Sequence, residues 1–309
     1  MITVVGSLNM DLVVNTERIP RPGETVMGRG FKQVPGGKGA NQAAAAARLG
    51  ASVTMIGCVG RDDMGSFLLD SLRRDGADTG HVFQRESVPT GVAAIIVEDS
   101  GNNSITVAPG ANYALAKEDI TGKKQVIQQA AILLTQLETK LETVEEALRL
   151  AKEAGKLTIL NPAPAAALSE NILKNADILT PNETELEVLS GLSARTEEGV
   201  VEAARSLIRQ GAGQLVVTLG EKGCIHVTQE NAKLYPAYPV KAVDTTAAGD
   251  SFNGALAVYL DEGRGLEEAI AFATKVGAMT VTREGAQTSL PHREEVERFD
   301  EWRKEGKFS

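Results

Sequence analysis

The sequence predicts an α/β fold of three layers: a mostly parallel central sheet, helices on both of its faces, and a small accessory β-sheet lid. Three observations lead there. Apolar strand-like runs alternate with amphipathic helical stretches along the chain, which is the pattern of βαβ units. With 309 residues and 42% hydrophobic content, the chain can bury a full core. Two segments, 9–35 and 91–109, break the alternation and lack helical periodicity, so they read as insertions forming the lid of a single unit spanning 1–309.

The elements follow in order. Strand-like runs are ITVVGS, SVTMIGCVG, AILLTQL, KLTILNPAP, ADILTPN and LVVTLG, separated by helical patterns such as TVEEALRLAKEAG and EEGVVEAARSLIRQGA. The run NQAAAAARLGA is a helix whose alanines let it lie close to a sheet. In EEVERFDEWRK, Val296, Phe299 and Trp302 recur at helical spacing and read as core. The lid segment GVAAIIVEDSGNNSITVAPG reads as two strands joined by a Gly/Asn turn. Both alternating faces of GVAAIIV are apolar, so a second surface is expected to cover it, either a closing active site or a partner subunit in a homodimer.

Composition excludes several classes. The net charge of −9 and the absence of any Lys/Arg block oppose binding to nucleic acid or an anionic membrane. No apolar stretch reaches the roughly 20 residues that span a bilayer, and the N-terminal MITVVGSLNMD has no basic signal-like region. A soluble, cytoplasmic protein is expected. Cys58 and Cys224 lie in β-like apolar runs and read as buried thiols in a reducing compartment. His81, His226 and His292 show no metal-ligand spacing. A polyphosphate substrate would have to be held by helix N-termini, a divalent ion and a few cations, because the overall field opposes it.

Six stretches could carry chemistry. VVGSLNMD lacks G-x-G-x-x-G and is followed by no helical pattern, which argues against a dinucleotide-binding start. If extended, its Asn9 and Asp11 point the same way beyond the first strand, where open α/β sheets bind ligands; a polar turn explains the stretch equally well. PGGKGANQAAAA fails the P-loop spacing, yet its glycines lead into a helix where exposed N–H groups could meet a ligand, with Gly37, Lys38 and Asn41 at hand. Glu138 in LLTQLET, and Asn182 and Glu185 in TPNETE, each follow a strand, although each alone could be a cap or a solvated acid. The loop Thr218, Leu219, Gly220, Glu221, Lys222, Gly223 suits phosphate or ribose contacts, or a plain hairpin.

The sharpest signal is DTTAAGDSFNGAL. Ala247, Ala248 and Gly249 leave the mouth of a helix unobstructed, and Asp250 stands at its edge. Unpaired N–H groups in that first turn suit a phosphoryl group. A carboxylate there would repel phosphate, so its presence is sensible if it handles a proton on an attacking hydroxyl. A helix N-terminus makes a carboxylate a weak base, which suffices where the alcohol loses its proton late in a loose transition state.

PGGKGANQA and VDTTAAGDSFNGA together closely resemble the two signatures of the sugar kinase family that contains ribokinase, fructokinase and adenosine kinase. GSLNMD, RPGETV, LLTQLE, NPAPA, TPNETE, TLGEKG and TREGAQTS fall in family order, so the resemblance covers nearly the whole chain. It implies ATP-dependent phosphorylation of the 5-hydroxyl of D-ribose. By position, Asp250 is then the base, and Gly249 with Ala248 and Ala247 forms the anion hole. Asn9, Asp11, Gly37, Lys38, Asn41 and Glu138 hold the sugar, while Asn182, Thr218 to Gly223, Gly249 and Thr274 line the nucleotide site. The resemblance also implies Mg²⁺, oriented through water by Asn182 and Glu185, and a monovalent cation, usually K⁺, on Asp244, Thr246, Thr280, Arg283, Gly285 and Ser289. The wider family commonly has glycine where Ala247 stands. Two rivals follow: a family kinase acting on deoxyribose, fructose or adenosine, and a non-catalytic sugar or nucleotide sensor on the same fold.

Overall fold

Runs of aliphatic and β-branched residues form thirteen strands in the computed structural model, which describes residues 1–100 and 102–304. In chain order they are β1 (Ile2–Val5), β2 (Asn9–Thr16), β3 (Gly30–Gly36), β4 (Val53–Gly60), β5 (Asp78–Arg85), β6 (Gly91–Glu98), β7 (Asn103–Ala108), β8 (Ile132–Thr135), β9 (Leu157–Leu160), β10 (Ile178–Leu179), β11 (Gln214–Thr218), β12 (Cys224–Val227) and β13 (Ala232–Tyr235). Nine make one sheet in the order β13-β12-β11-β10-β9-β8-β1-β4-β5. Its strands from β11 to β5 run parallel, and β12 and β13 add antiparallel at one edge.

β1, β4 and β8 are buried at every position, as parallel strands covered on both faces must be. Neighbouring residues of one strand enter opposite cores. Val4, Leu134, Ile159 and Val216 pack beneath the helices Lys38–Arg48, Ala248–Asp261 and Leu266–Thr280, whereas Val5, Leu133, Leu160 and Val217 pack beneath Leu141–Glu153 and Glu197–Arg209. The three layers expected from the sequence are therefore present. Val296 and Phe299 are buried, and Trp302 stacks on Phe299 with ring centroids 5.3 Å apart. Cys58 and Cys224 are buried and unpaired, and burial pushes their thiols up to about 11 and about 12.

The two interrupting segments form a separate four-stranded sheet in the order β3-β2-β6-β7, with β2 and β6 parallel and the outer pairs antiparallel. The Gly/Asn turn expected between β6 and β7 includes residue 101, outside the described residues. Sequence reading missed β5 and β13: DTGHVFQR and the short AKLY are polar-rich edge strands without the apolar runs that mark the centre of a sheet. Among the described residues, no helix is long and apolar enough to cross a membrane.

The helices Lys38–Arg48 and Ala248–Asp261 cross at close range because small residues line the crossing. A Cβ placed on Gly254 would lie 2.7 Å from Ala45 Cβ and 2.9 Å from the Gln42 carbonyl oxygen. We expect Gly254→Leu to lower Tm by about 2–5 °C through overpacking of about 1–3 kcal/mol, read by thermal denaturation. An unchanged Tm would show that the crossing has slack.

Candidate active site

The carboxyl ends of β1, β8, β9, β10 and β11 share one edge of the large sheet, and β1 sits where the chain turns from building one side (β4, β5) to building the other (β8 to β11). Open α/β sheets bind ligands at such switch points. β2 continues from β1 beyond this edge, so the second sheet flanks it.

Asp250 lies in the first turn of the helix Ala248–Asp261 and is buried. Its Oδ2 accepts from Asn41 Nδ2 at 2.9 Å and its Oδ1 from Gln42 Nε2 at 3.0 Å. Ala247, the N-cap, adopts φ 60°, and among the described residues it is the one non-glycine with positive φ. That conformation explains the glycine common there in the wider family, since a Cβ in it costs of order 1 kcal/mol. No side chain caps the helix. Ala248 N–H reaches the Thr245 carbonyl at 3.3 Å, while Gly249 is exposed, with nothing within 4 Å of where its Cβ would be. The helix mouth is open as the sequence suggested.

The other glycine-led helix start is different. Sequence reading expects exposed N–H groups at the start of Lys38–Arg48, but the protein occupies them. Lys38 N–H donates to Glu138 Oε2 at 3.0 Å, Gly39 N–H to Ser7 Oγ at 3.3 Å and Ala40 N–H to the Ser7 carbonyl at 2.8 Å. The tight backbone approach explains the glycines: Gly37 has φ 89°, and a Cβ on it would lie 2.6 Å from the Asn9 nitrogen. This end is therefore bonded to the carboxyl ends of β1 and β8 and is closed to an anion. Glu138 Oε2 also accepts from Ser7 Oγ, which leaves Oε1 for another partner.

Asn9 and Asp11 are two apart on β2, as the sequence anticipated, and extended backbone turns both to one face. Asn9 Oδ1 accepts from Asn112 Nδ2 at 2.7 Å; the same Asn112 amide brackets the Leu8 backbone at 2.9 and 3.1 Å. Asp11 lies over Gly36, where a Cβ would come within 2.3 Å of its Oδ2, and it has no hydrogen-bond partner among the described residues. Burial, then the Glu138 and Asp250 charges, raise its pKa to about 7. Burial alone would lower the Lys38 ammonium, but Asp250, Glu138 and Glu185 outweigh it and hold that pKa above the ordinary value. Lys38 is thus the cation among these acids. Asn41 engages Asp250, and its Oδ1 accepts from Gln287 Nε2 at 3.3 Å.

Asn182 and Thr218 meet as bridge partners across β10 and β11, and Thr218 N–H donates to the Pro181 carbonyl at 2.9 Å. Asn182 caps the helix Glu183–Ser190 reciprocally: Glu185 N–H donates to Asn182 Oδ1 at 2.8 Å and Asn182 N–H to Glu185 Oε2 at 2.9 Å. One Glu185 oxygen and the Asn182 amide nitrogen remain. Burial and Asp250 raise the Glu185 pKa, partly opposed by the Asn182 N–H and Lys38. Leu219 to Gly223 form a tight turn closed by Leu219 N–H on the Gly223 carbonyl at 2.8 Å, with Gly220, Glu221 and Lys222 in a 3₁₀ turn. Thr274 is buried with its hydroxyl on the Ile270 carbonyl, so it offers a ligand little.

Asp244 joins two loops beside the helix mouth. Its Oδ1 accepts from the Thr246 N–H and hydroxyl, and its Oδ2 from Gly285 N–H at 2.8 Å. Burial pushes the Asp244 carboxyl up, yet these bonds hold it below the usual range. Val243 and Asp244 N–H both reach the Val281 carbonyl, Arg283 N–H the Thr280 carbonyl, and Ser289 Oγ the Ala286 carbonyl. The six residues named for the cation thus lie on two abutting loops and the end of one helix. The Arg283 guanidinium pairs with Glu295, so its backbone carbonyl is what it can offer a cation.

Sequence reading missed Ser7, Gln42, Asn112, Gln136, Asn161 and Asn253, all in this region and buried. None carries charge, and most of their partners are distant in sequence; the available signal was that Ser7, Gln42, Gln136, Asn161 and Asn253 stand inside the quoted motifs, where nothing gave them a role of their own. The sequence model of pfkB family carbohydrate kinases matches residues 1–293. The chain belongs to the pfkB family. This family member is 42% identical to the ribokinase of Haemophilus influenzae over 96% of its own length and 97% of the relative's. It is 39% identical to the deoxyribokinase of Salmonella typhi, covering 97% and 98%. The structure of Arabidopsis thaliana ribokinase complexed with ribose and ATP superposes with a TM-score of 0.90 at 33% identity, covering 96% of this chain and 97% of that one.

The unbonded Asp11 carboxyl sets a pH dependence. Its folded pKa is raised, so its contribution to stability is complete below the unfolded value of 3.8 and is lost as pH rises through about 7. Asp11→Asn removes that loss. We expect the variant to melt about 2–6 °C above the parent at pH 8 and by a smaller margin at pH 5; a lower Tm at pH 8 would contradict the burial of an unpartnered charge.

Proposed function

We propose that this pfkB family member transfers the terminal phosphoryl group of ATP to O5 of D-ribose, giving D-ribose 5-phosphate and ADP. One observation carries the reading: of two carboxyls close enough for the charge of one to act on the other, Asp250 is gripped by amides on both oxygens, and Asp11 is left without a partner among the described residues. The first suits a fixed proton acceptor, and the second suits an acid awaiting sugar hydroxyls. Similarity to named ribokinases, including one solved with ribose and ATP, supports the substrates.

Asp11, Asn9 and the free oxygen of Glu138 bind and orient the pentose on the side of the small sheet, with Gly37 giving close backbone approach. Asp250 aims the 5-hydroxyl and takes its proton late in the transfer. The first-turn N–H groups of Gly249 and Asp250 stabilise charge on the moving phosphoryl group. Lys38, held charged among acids of both halves, offers it a cation. Asn182 and the turn Thr218 to Gly223 line the nucleotide side. The second oxygen of Glu185 fits a water of hydrated Mg²⁺, and Asn182 steadies Glu185 through the cap. When bound, Mg²⁺ supplies charge neutralisation on the ATP phosphates.

For K⁺, the turn backbone and hydroxyls around Asp244, Thr246, Thr280, Gly285 and Ser289 supply oxygen donors of the right hardness. Such an ion would brace the loop leading to Ala247. Phe31 is exposed on the face of the small sheet opposite Asp11, in register with the apolar Val14 and Ile96, which supports the lid as the interface of a homodimer.

ADP release should be measured with ribose, deoxyribose, fructose and adenosine at equal MgATP. Ribose is expected to give the highest kcat/KM. A preference for deoxyribose would transfer the reading to the deoxyribokinase relatives, and a preference for fructose or adenosine would overturn it. Asp250→Asn is expected to lower kcat by about 10²-fold or more with the fold intact; near-parent turnover would remove Asp250 from the chemistry.

A further inference from the structure

We propose that Gln42 is a positioning residue for phosphoryl transfer: it fixes the second oxygen of the Asp250 carboxylate and ties that carboxylate to the carboxyl ends of β8 and β9. The inference rests on the proposed role of Asp250 and gives a role to a residue that lies inside the PGGKGANQA stretch without one.

The direction of the Gln42 amide follows from its neighbours. Asn161, just after β9, donates Nδ2 to the Thr180 carbonyl at 3.0 Å, and a carbonyl can only accept. Asn161 Oδ1 therefore faces Gln42, which must present its nitrogen, at 3.1 Å. The second N–H of the same nitrogen goes to Asp250 Oδ1 at 3.0 Å, and Gln42 Oε1 accepts from Gln136 Nε2, just after β8, at 2.6 Å. Both Gln42 hydrogens are used and its oxygen is filled, with the side chain 0% exposed. A flipped amide would set oxygen against two acceptors, so the arrangement has one orientation.

Consecutive residues of one helix thus hold the two oxygens of one carboxylate, Asn41 on Oδ2 and Gln42 on Oδ1. Rotation of the carboxylate would break both bonds and leave one buried N–H of each amide without its acceptor. One lone pair on each oxygen remains for an incoming hydroxyl. The same buried set runs on to the anion hole, since Thr180 Oγ1 donates to Asn253 Oδ1 at 2.6 Å and Asn253 Nδ2 to the Gly249 carbonyl at 2.8 Å. Base and phosphoryl cradle are therefore referenced to one scaffold. A residue acting in this way is needed for the transfer step and touches neither sugar nor nucleotide.

The test is Gln42→Glu, which keeps the shape and replaces the donor by a carboxyl facing Asp250, alongside Gln42→Met, which removes the donor without adding an acid. Each is assayed with the best sugar of the panel above, and folding is checked by thermal denaturation. We expect kcat to fall about 10- to 100-fold in both, the loss of one charge-assisted hydrogen bond, with KM for sugar and MgATP within about 3-fold of the parent. In Gln42→Glu the two carboxyls titrate as a coupled pair, so the acid limb of the kcat profile should move up by about one pH unit or more. A folded variant of either kind with parent kcat, or a loss of turnover expressed mainly in KM with an unmoved acid limb, overturns the proposal. Asp250→Asn separates the two readings: if it stays active, the assignment of the base has failed, whereas if it is inactive beside active Gln42 variants, only the role of Gln42 falls.

Discussion

The Asp250 carboxylate, gripped by the side-chain amides of Asn41 and Gln42, is the contact on which the rest of the site depends. It exists because two helices approach closely. Alanines 43 to 46 and Gly254 remove the bulk that would hold the helices Lys38–Arg48 and Ala248–Asp261 apart, and the first of these helices is itself bonded at its start to Ser7 and Glu138. Strand ends of the large sheet therefore set the position of one helix, that helix sets the carboxylate, and the carboxylate marks the lip of the other helix.

Charge explains why the site looks as it does in an acidic protein. A net charge of −9 gives no general attraction for a polyphosphate, so positive character is concentrated at one open helix end and at Lys38. Around them the charges of Glu138 and Asp250 add to burial in raising the proton affinity of Asp11, Asp250 does the same for Glu185, and Asp250, Glu138 and Glu185 hold Lys38 charged. The glycine-led start of Lys38–Arg48 adds nothing to this field, since its N–H groups are already bonded within the protein. A glycine-rich approach to a helix is thus no guide to an anion site until the partners of its first-turn amides are known.

Much of this was legible in the chain. The alternation of apolar runs marked the layers, and the interruptions at 9–35 and 91–109 marked the second sheet, because periodicity is local. DTTAAGD announced an unobstructed helix mouth because Ala247, Ala248 and Gly249 have no side chains large enough to cover its first-turn N–H groups. The edge strands β5 and β13 were not legible, since edges need few apolar residues. Gln42, Gln136, Asn161 and Asn253 were invisible for another reason. A neutral amide gains its meaning from partners such as Asp250, 208 residues from Gln42 in sequence, and only the fold brings those together.

The most direct test of the whole account is a crystal structure with ribose and a non-hydrolysable ATP analogue. It should place an Asp250 carboxylate oxygen within about 3.2 Å of the sugar O5, with the terminal phosphate of the analogue against the Gly249 and Asp250 N–H groups on the far side of that hydroxyl. A carboxylate turned away from the sugar, with O5 bonded elsewhere and the phosphate remote from the helix mouth, would contradict it.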